Sequence, residues 1–221
     1  MTPMKILFNF LCFYFLALQL NAQIPEGKSV ISSLYIYTLE TGKAELVLKE
    51  KRHFEAPNWS HDGQFLLINA SGILEKVSIE GEKLGVLPTG DIKNANNDHG
   101  YSFDGKTLFI SSSLPSIKGG SSLIFKVASE GGSPIRLTDN TPSYWHGVSP
   151  DGKTIVYCAE RGGNYDVYAM SSDGGAETRL TDAEGLAEIG ANLGRKITGI
   201  LHGAGLEDSK LVADKSTDIF N

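Results

Sequence analysis

Two histidines occupy matching points of the chain. His99 and His146 each lie five residues ahead of an aspartate, Asp104 and Asp151, within a Ser-x-Asp-Gly motif. Asn97 and Asp98 precede the first histidine, and Tyr144 and Trp145 precede the second. Imidazoles beside carboxylates suit a divalent metal or a polar ligand. Two imidazoles are fewer than most metal sites demand, and the spacing fixes no ligand geometry. No resident cofactor is therefore expected, and a divalent metal is kept as the alternative; hydrogen-bonded loop histidines would account for the same residues without any ligand. Trp59 and Trp145 could stack on a sugar or a peptide, and such rings also pack between layers of a fold. The ligand-binding candidates are His99, His146, Trp145, Tyr144, Asp98, Asn97 and Trp59. No catalytic residue is assigned, because the chain has no Gly-x-Ser-x-Gly elbow to present a nucleophile.

What must position these residues is a repeat. SHDGQFLLI begins at Ser60, SFDGKTLFI at Ser102 and SPDGKTIVY at Ser149, which places Asp62, Asp104 and Asp151 at steps of 42 and 47 residues. A second landmark agrees: Gly131-Gly132 and Arg136-Leu137-Thr138-Asp139 recur as Gly174-Gly175 and Arg179-Leu180-Thr181-Asp182, a step of 43. The difference fits a longer loop in the second unit, from Leu114 to Ser121, where Pro, Ser and Gly cluster. Periods of this size point to four-stranded propeller blades. In Ser149-Pro150-Asp151-Gly152, proline presets the first central turn position, aspartate suits the second, and glycine accepts the positive φ that follows. The serine hydroxyl can bond the turn backbone. The β-branched and aromatic run Thr154-Ile155-Val156-Tyr157 then reads as a buried strand. The motif thus joins the innermost strand of a blade to the next one outwards. That turn role accounts for the aspartates without any catalytic or calcium-binding duty.

The motifs NWSHDGQFLLI, GYSFDGKTLFI and GVSPDGKTIVY, followed twice by RLTD, resemble the TolB-like group of WD-type β-propeller repeats over residues 31–186. The resemblance implies an exported scaffold that binds a protein or saccharide in the bacterial envelope. The same propellers also serve as accessory domains of serine peptidases, and as pectin-fragment lyases that hold a metal with channel histidines. A lyase or hydrolase of oligosaccharides using His99 and His146 is therefore the alternative function; fold alone does not choose.

The expected class is all-β: an incomplete propeller of about three and a half blades, where closure takes about four to eight. SLYIYTLETGKAELVL supplies the outer two strands of the first, partial blade. Residues 1–22 have the layout of a secretory signal peptide, with one lysine, an apolar stretch from Ile6 to Leu18 and a small residue at Ala22. That stretch is short of the roughly 20 residues that span a bilayer, so no stable span is expected after cleavage. The location implied is periplasmic or secreted. Cleavage removes Cys12 and leaves Cys158 alone, so no internal disulfide can form. The propeller segment is placed at 23–186 and an atypical tail of α/β-like pattern at 187–221. Within the tail, KITGILHGAGLEDSKLVADKS resembles a ketoreductase fragment of polyketide and polyunsaturated fatty-acid synthases. It lacks that family's nucleotide loop and catalytic residues, and His202 is given no role. A truncated or chimeric reading frame joined near residue 186 would explain it. With a formal charge of -6 and no basic run interleaved with aromatics, nucleic acid is excluded as a partner. An open arc of blades leaves strand edges and apolar faces free, so association through those edges is expected.

Overall fold

A computed structural model describes residues 29–114 and 121–181; the signal peptide expected at 1–22 and the atypical tail expected at 187–221 lie outside the described residues. A first hairpin pairs β1 (Ser32–Thr38) with β2 (Lys43–Glu50). Three four-stranded antiparallel sheets follow. The first holds β3 (Glu55–Trp59), β4 (Phe65–Ala70), β5 (Ile73–Ser78) and β6 (Lys83–Val86). The second holds β7 (Ala95–Tyr101), β8 (Thr107–Ser113), β9 (Ser122–Ala128) and β10 (Ile135–Arg136). The third holds β11 (Ser143–Val148), β12 (Thr154–Arg161), β13 (Asn164–Ser171) and β14 (Thr178–Arg179). Each sheet keeps its strands in chain order, and the first strands pack together, β3 on β7 and β7 on β11. Three blades and a half-blade therefore radiate from one inner edge. The β8–β9 connection spans 114–121, against two residues at 71–72 and 162–163, so the longer second unit has its source there.

The Ser-x-Asp-Gly motif builds the same turn three times. The glycine N–H donates to the serine carbonyl at 3.0, 2.9 and 2.8 Å for Ser60, Ser102 and Ser149. Gly63, Gly105 and Gly152 take φ of 71°, 69° and 73°, the left-handed region where a side chain would be strained. Each serine hydroxyl donates to the aspartate at 2.6–2.7 Å and accepts the N–H of Phe65, Thr107 or Thr154 at 3.0 Å. The aspartate also accepts the N–H two residues on, at 3.1 Å. The serine hydroxyl, and then that N–H, hold all three carboxyls below their ordinary value.

Strand alternation sends one set of side chains to each neighbouring blade. Leu67 and Leu74 meet Leu108, Ile110, Leu123 and Phe125 between the first and second blades. Phe109 and Ile124 meet Trp145, Ile155, Tyr157 and Tyr168 between the second and third. Leu34 meets Leu66, Ile68 and Val77 between the hairpin and the first blade. Matching ion pairs cross the outer part of the stack: Lys76 reaches Glu130 at 3.0 Å, and Lys126 reaches Asp173 at 2.6 Å.

The turn glycines locate the hairpin. A Cβ on Gly131 would sit 2.3 Å from the carbonyl of Pro88, just past β6, and one on Gly174 would face the carbonyl of Leu137, just past β10. A Cβ on Gly81 would sit 2.1 Å from the carbonyl of Val47, inside β2. β2 therefore holds the outermost place of a blade and β1 the next place inwards, as the sequence of SLYIYTLETGKAELVL implies.

Candidate functional site

Each innermost strand carries a bulge, and the bulges decide where the candidate side chains go. In the second blade Gly100 pairs with Phe109 and His99 with Ile110, and the ladder then breaks until Ala95 meets Ser112. In the third blade Gly147 pairs with Val156, His146 is skipped, and Trp145 pairs with Tyr157. In the first, Asn58 pairs with Leu67, and Ala56 and Pro57 are skipped before Glu55 meets Asn69; Ala56 takes a φ of 51°. An extra residue re-aims its side chain out of the ladder. By register, then, the counterpart of His99 is Trp145, although spacing along the chain aligns it with His146. Both histidines lie past the midpoint of their strands, and neither is in a loop.

His99 is 4% exposed, and neither ring nitrogen has a hydrogen-bond partner among the described residues. Burial pushes its pKa down to about 4, with the backbone of Asn96 and Leu67 opposing, so the imidazole is neutral at physiological pH. Trp145 is also buried: its ring stacks on Phe109 at 5.6 Å, its far edge closes on Gly100, and its backbone N–H donates to Ser111 Oγ at 2.7 Å, while the indole N–H has no partner among the described residues. A Cβ on Gly100 would lie 2.6 Å from that ring, which explains the glycine.

Asp98 and His146, one from each neighbouring bulge, approach to 3.9 Å between Oδ1 and Nδ1. His146 is exposed and Asp98 largely covered, at 55% and 17% of their side chains. Burial raises the Asp98 carboxyl above its ordinary value; the His146 charge opposes this and the Glu55 charge adds to it. Tyr144 and Cys158 flank the carboxylate, and burial raises both, with Asp98 contributing. Asn97 is exposed beside the pair. Trp59 stands apart, half exposed against the hairpin. The structure thus brings together Asp98, His146 and Tyr144, leaves Asn97 exposed next to Asp98 in the chain, encloses His99 and Trp145, and separates Trp59. The sequence reading omitted Glu55 and its neighbour His53, 3.6 Å away. Glu55 lies seven residues ahead of Asp62, as Asn97 and Tyr144 lie ahead of Asp104 and Asp151, so aligning the repeats would have found it. This arrangement can accept hydrogen bonds from a ligand at the Asp98 carboxylate and exchange a proton with the imidazole. Among the described residues no group of three or more His, Cys, Asp or Glu is placed to hold a metal ion, and no helix is long and apolar enough to cross a membrane.

No family model matches the chain. An uncharacterised curated protein of Agrobacterium fabrum is 44% identical over 136 residues, which is 61% of this chain and 45% of that protein. A solved structure assigned to TolB of Agrobacterium tumefaciens is 43% identical, with a TM-score of 0.64, over 72% of this chain and 56% of the other. TolB of Acinetobacter baumannii shares the fold at 24% identity and a TM-score of 0.55, over 69% of this chain and 40% of that one. The chain spans about half the length of these relatives. Its fold is that of the TolB-like β-propellers.

Proposed function

We propose that the chain is a non-enzymatic binding module of the TolB-like propeller type, working in the periplasm or outside the cell. It engages a protein or saccharide ligand where Asp98, His146, Tyr144 and Asn97 converge at the inner ends of the second and third blades. The observation that carries this reading is the Asp98–His146 approach: two bulges bring a covered carboxylate and an exposed imidazole together across a blade boundary. Asp98 and His146 both stand on innermost strands of neighbouring packed blades, so their approach is set by the sheets and not by a loop. The lyase or hydrolase alternative needs both imidazoles on one substrate. His99 is sealed while His146 stands in solvent, so that alternative is not adopted.

The test is to probe the purified chain with a panel of neutral and uronic oligosaccharides and with cross-linked envelope proteins, comparing the parent with Asp98→Asn and His146→Ala. Binding to a ligand of either class, weakened about tenfold or more by Asp98→Asn, is the expected result, since a hydrogen bond to a charged group contributes about 1.5–3 kcal/mol. Ligand capture that both variants retain would place recognition elsewhere. Turnover of an oligosaccharide that depends on His146 would restore the enzymatic reading.

A further inference from the structure

One boundary between blades carries side chains that the repeat itself does not require. At the end of the strands where the Ser-x-Asp-Gly turns lie, a cavity of about 130 Å³ opens between the first and second blades. Its walls come from the first turn (His61, Asp62), the end of β7 (Tyr101) and the turn after β9 (Ser129, Glu130), with Phe65 of β4 beside them. A cavity of about 150 Å³ can take up a molecule the size of benzene, so a group of several heavy atoms fits here.

The second and third blades meet at a boundary built from the same repeat, which separates what the fold uses from what it does not. Asp62, Ser129 and Glu130 have like counterparts in Asp104, Ser172 and Asp173, and the carboxylates serve the turns and the inter-blade ion pairs. His61, Phe65 and Tyr101 have none: Phe103, Thr107 and Val148 stand in their places. The two boundaries also differ in shape. A Cβ on Gly105 would lie 2.4 Å from His61, whose side chain folds over that glycine; a Cβ on the equivalent Gly152 meets nothing within 4 Å, and Phe103 stays 62% exposed.

The groups peculiar to the first boundary leave polar demands unmet. The Tyr101 hydroxyl is closed from water and has no hydrogen-bond partner among the described residues, a costly state for a buried polar atom. Burial first, and then the charges of Glu130 and Asp62, push its pKa up to about 12, so both carboxylates bear on it. Asp62 Oδ1 accepts from Ser60 and Gln64, and Glu130 Oε2 from Lys76, whereas Oδ2 and Oε1 accept no hydrogen bond among the described residues. Lys76 also lies 4.9 Å over the Phe65 ring, so this wall already holds one ammonium between a carboxylate and an aromatic face. Two carboxylates face that one cation, and one negative charge is left over.

We propose that this cavity binds a small primary alkylamine in its ammonium form. The head donates to Asp62 Oδ2, Glu130 Oε1 and the Tyr101 hydroxyl, the exposed His61 ring turns aside to admit it, and the alkyl stem takes the apolar wall of Phe65 and Tyr101. A planar guanidinium suits one bidentate carboxylate; three acceptors on three residues suit the three donors of an ammonium. The site shares no residue with the Asp98–His146 pair and does not depend on the function assigned there.

Butylammonium chloride is the probe, titrated into the full chain while the His61 Hε1 resonance is followed by NMR. A saturable shift is expected. Tetramethylammonium keeps the charge without an N–H donor, and 1-butanol keeps the stem without the charge; each should bind about tenfold or more weakly. Glu130→Gln should weaken butylammonium about tenfold, because a bond to a charged acceptor is lost. Tyr101→Phe should weaken it about threefold without lowering the melting temperature of the chain alone, since the hydroxyl it removes has no partner there. No saturable shift, an equal response to tetramethylammonium, or a shift that both variants leave intact would overturn the proposal. Saturation by N-acetyl-lysine amide but not by butylammonium would put a protein side chain in the cavity and overturn the assigned occupant.

Discussion

A neutral imidazole sealed from water ties folding to pH. His99 is held down to about 4 by burial, whereas the unfolded chain protonates it near 6.5. The unfolded state therefore takes up a proton first, and stability that is complete above pH 6.5 is lost as pH falls towards 4. The shift corresponds to about 3 kcal/mol across that window. Glu177 acts lower on the scale. The Arg161 guanidinium, followed by the hydroxyl of Tyr157, holds it down to about 2 against burial, from an ordinary 4.5. Its contribution is present above pH 4.5 and disappears between there and about 2. Chemical denaturation at a series of pH values should resolve the two limbs: His99→Leu flattens the upper one and Glu177→Gln the lower. A His99→Leu profile with the parent's slope between pH 6.5 and 4 would show that the imidazole is not the linked group.

At the scale of elements, the blades are set by where turns allow close approach. Gly131 and Gly174 begin equivalent turns, with φ of 94° and 90°. Both pay the left-handed backbone cost if replaced by alanine, about 1–2 kcal/mol. At Gly131 the new methyl would also collide with the Pro88 carbonyl at 2.3 Å, while at Gly174 the nearest atom is 3.6 Å away. Gly131→Ala should therefore lower the melting temperature clearly more than Gly174→Ala; equal effects would mean that the inter-blade contact at Pro88 can relax freely. The three Ser-x-Asp-Gly turns were legible in the sequence because their chemistry is local: Ser, Asp and Gly stand within four residues of one another and bond within the same loop. The propeller class and the half-blade followed from that periodicity. The bulges were not legible. An extra residue changes pairing with a strand many positions away and leaves no mark in residue type, so His99 and His146 look equivalent by spacing while the register sets Trp145 against Tyr157 where His99 meets Ile110. Spacing likewise left the geometry among the candidate residues unread: Asp98 and His146 approach each other, and His99 does not join them.

At the scale of the whole molecule, the stacking that closes each internal boundary reaches, among the described residues, as far as the third blade. Its outward face carries Val156 and Cys158 from β12 and Tyr165, Val167 and Ala169 from β13. In the earlier blades this face presents Leu67 or Phe109 and a lysine, Lys76 or Lys126, each of which reaches an acid on the next blade. Ala169 stands at the lysine's place, so the third face lacks that cation and is the more apolar. Tyr165 and Val167 are 58% and 39% exposed, and among the described residues nothing covers them. An uncovered apolar sheet face favours association, and the same face on two copies can meet about a two-fold axis. Sedimentation of the purified chain should show concentration-dependent oligomers. Tyr165→Lys combined with Val167→Lys should shift them to monomer without lowering the melting temperature, because both side chains already face solvent and the added charges would oppose each other across the axis. Trp59→Glu should leave this equilibrium where it was, since Trp59 lies against the hairpin, at the opposite end of the arc of blades. A chain that stays monomeric at every concentration, with Tyr165 and Val167 intact, would mean that this face is covered from within the polypeptide itself.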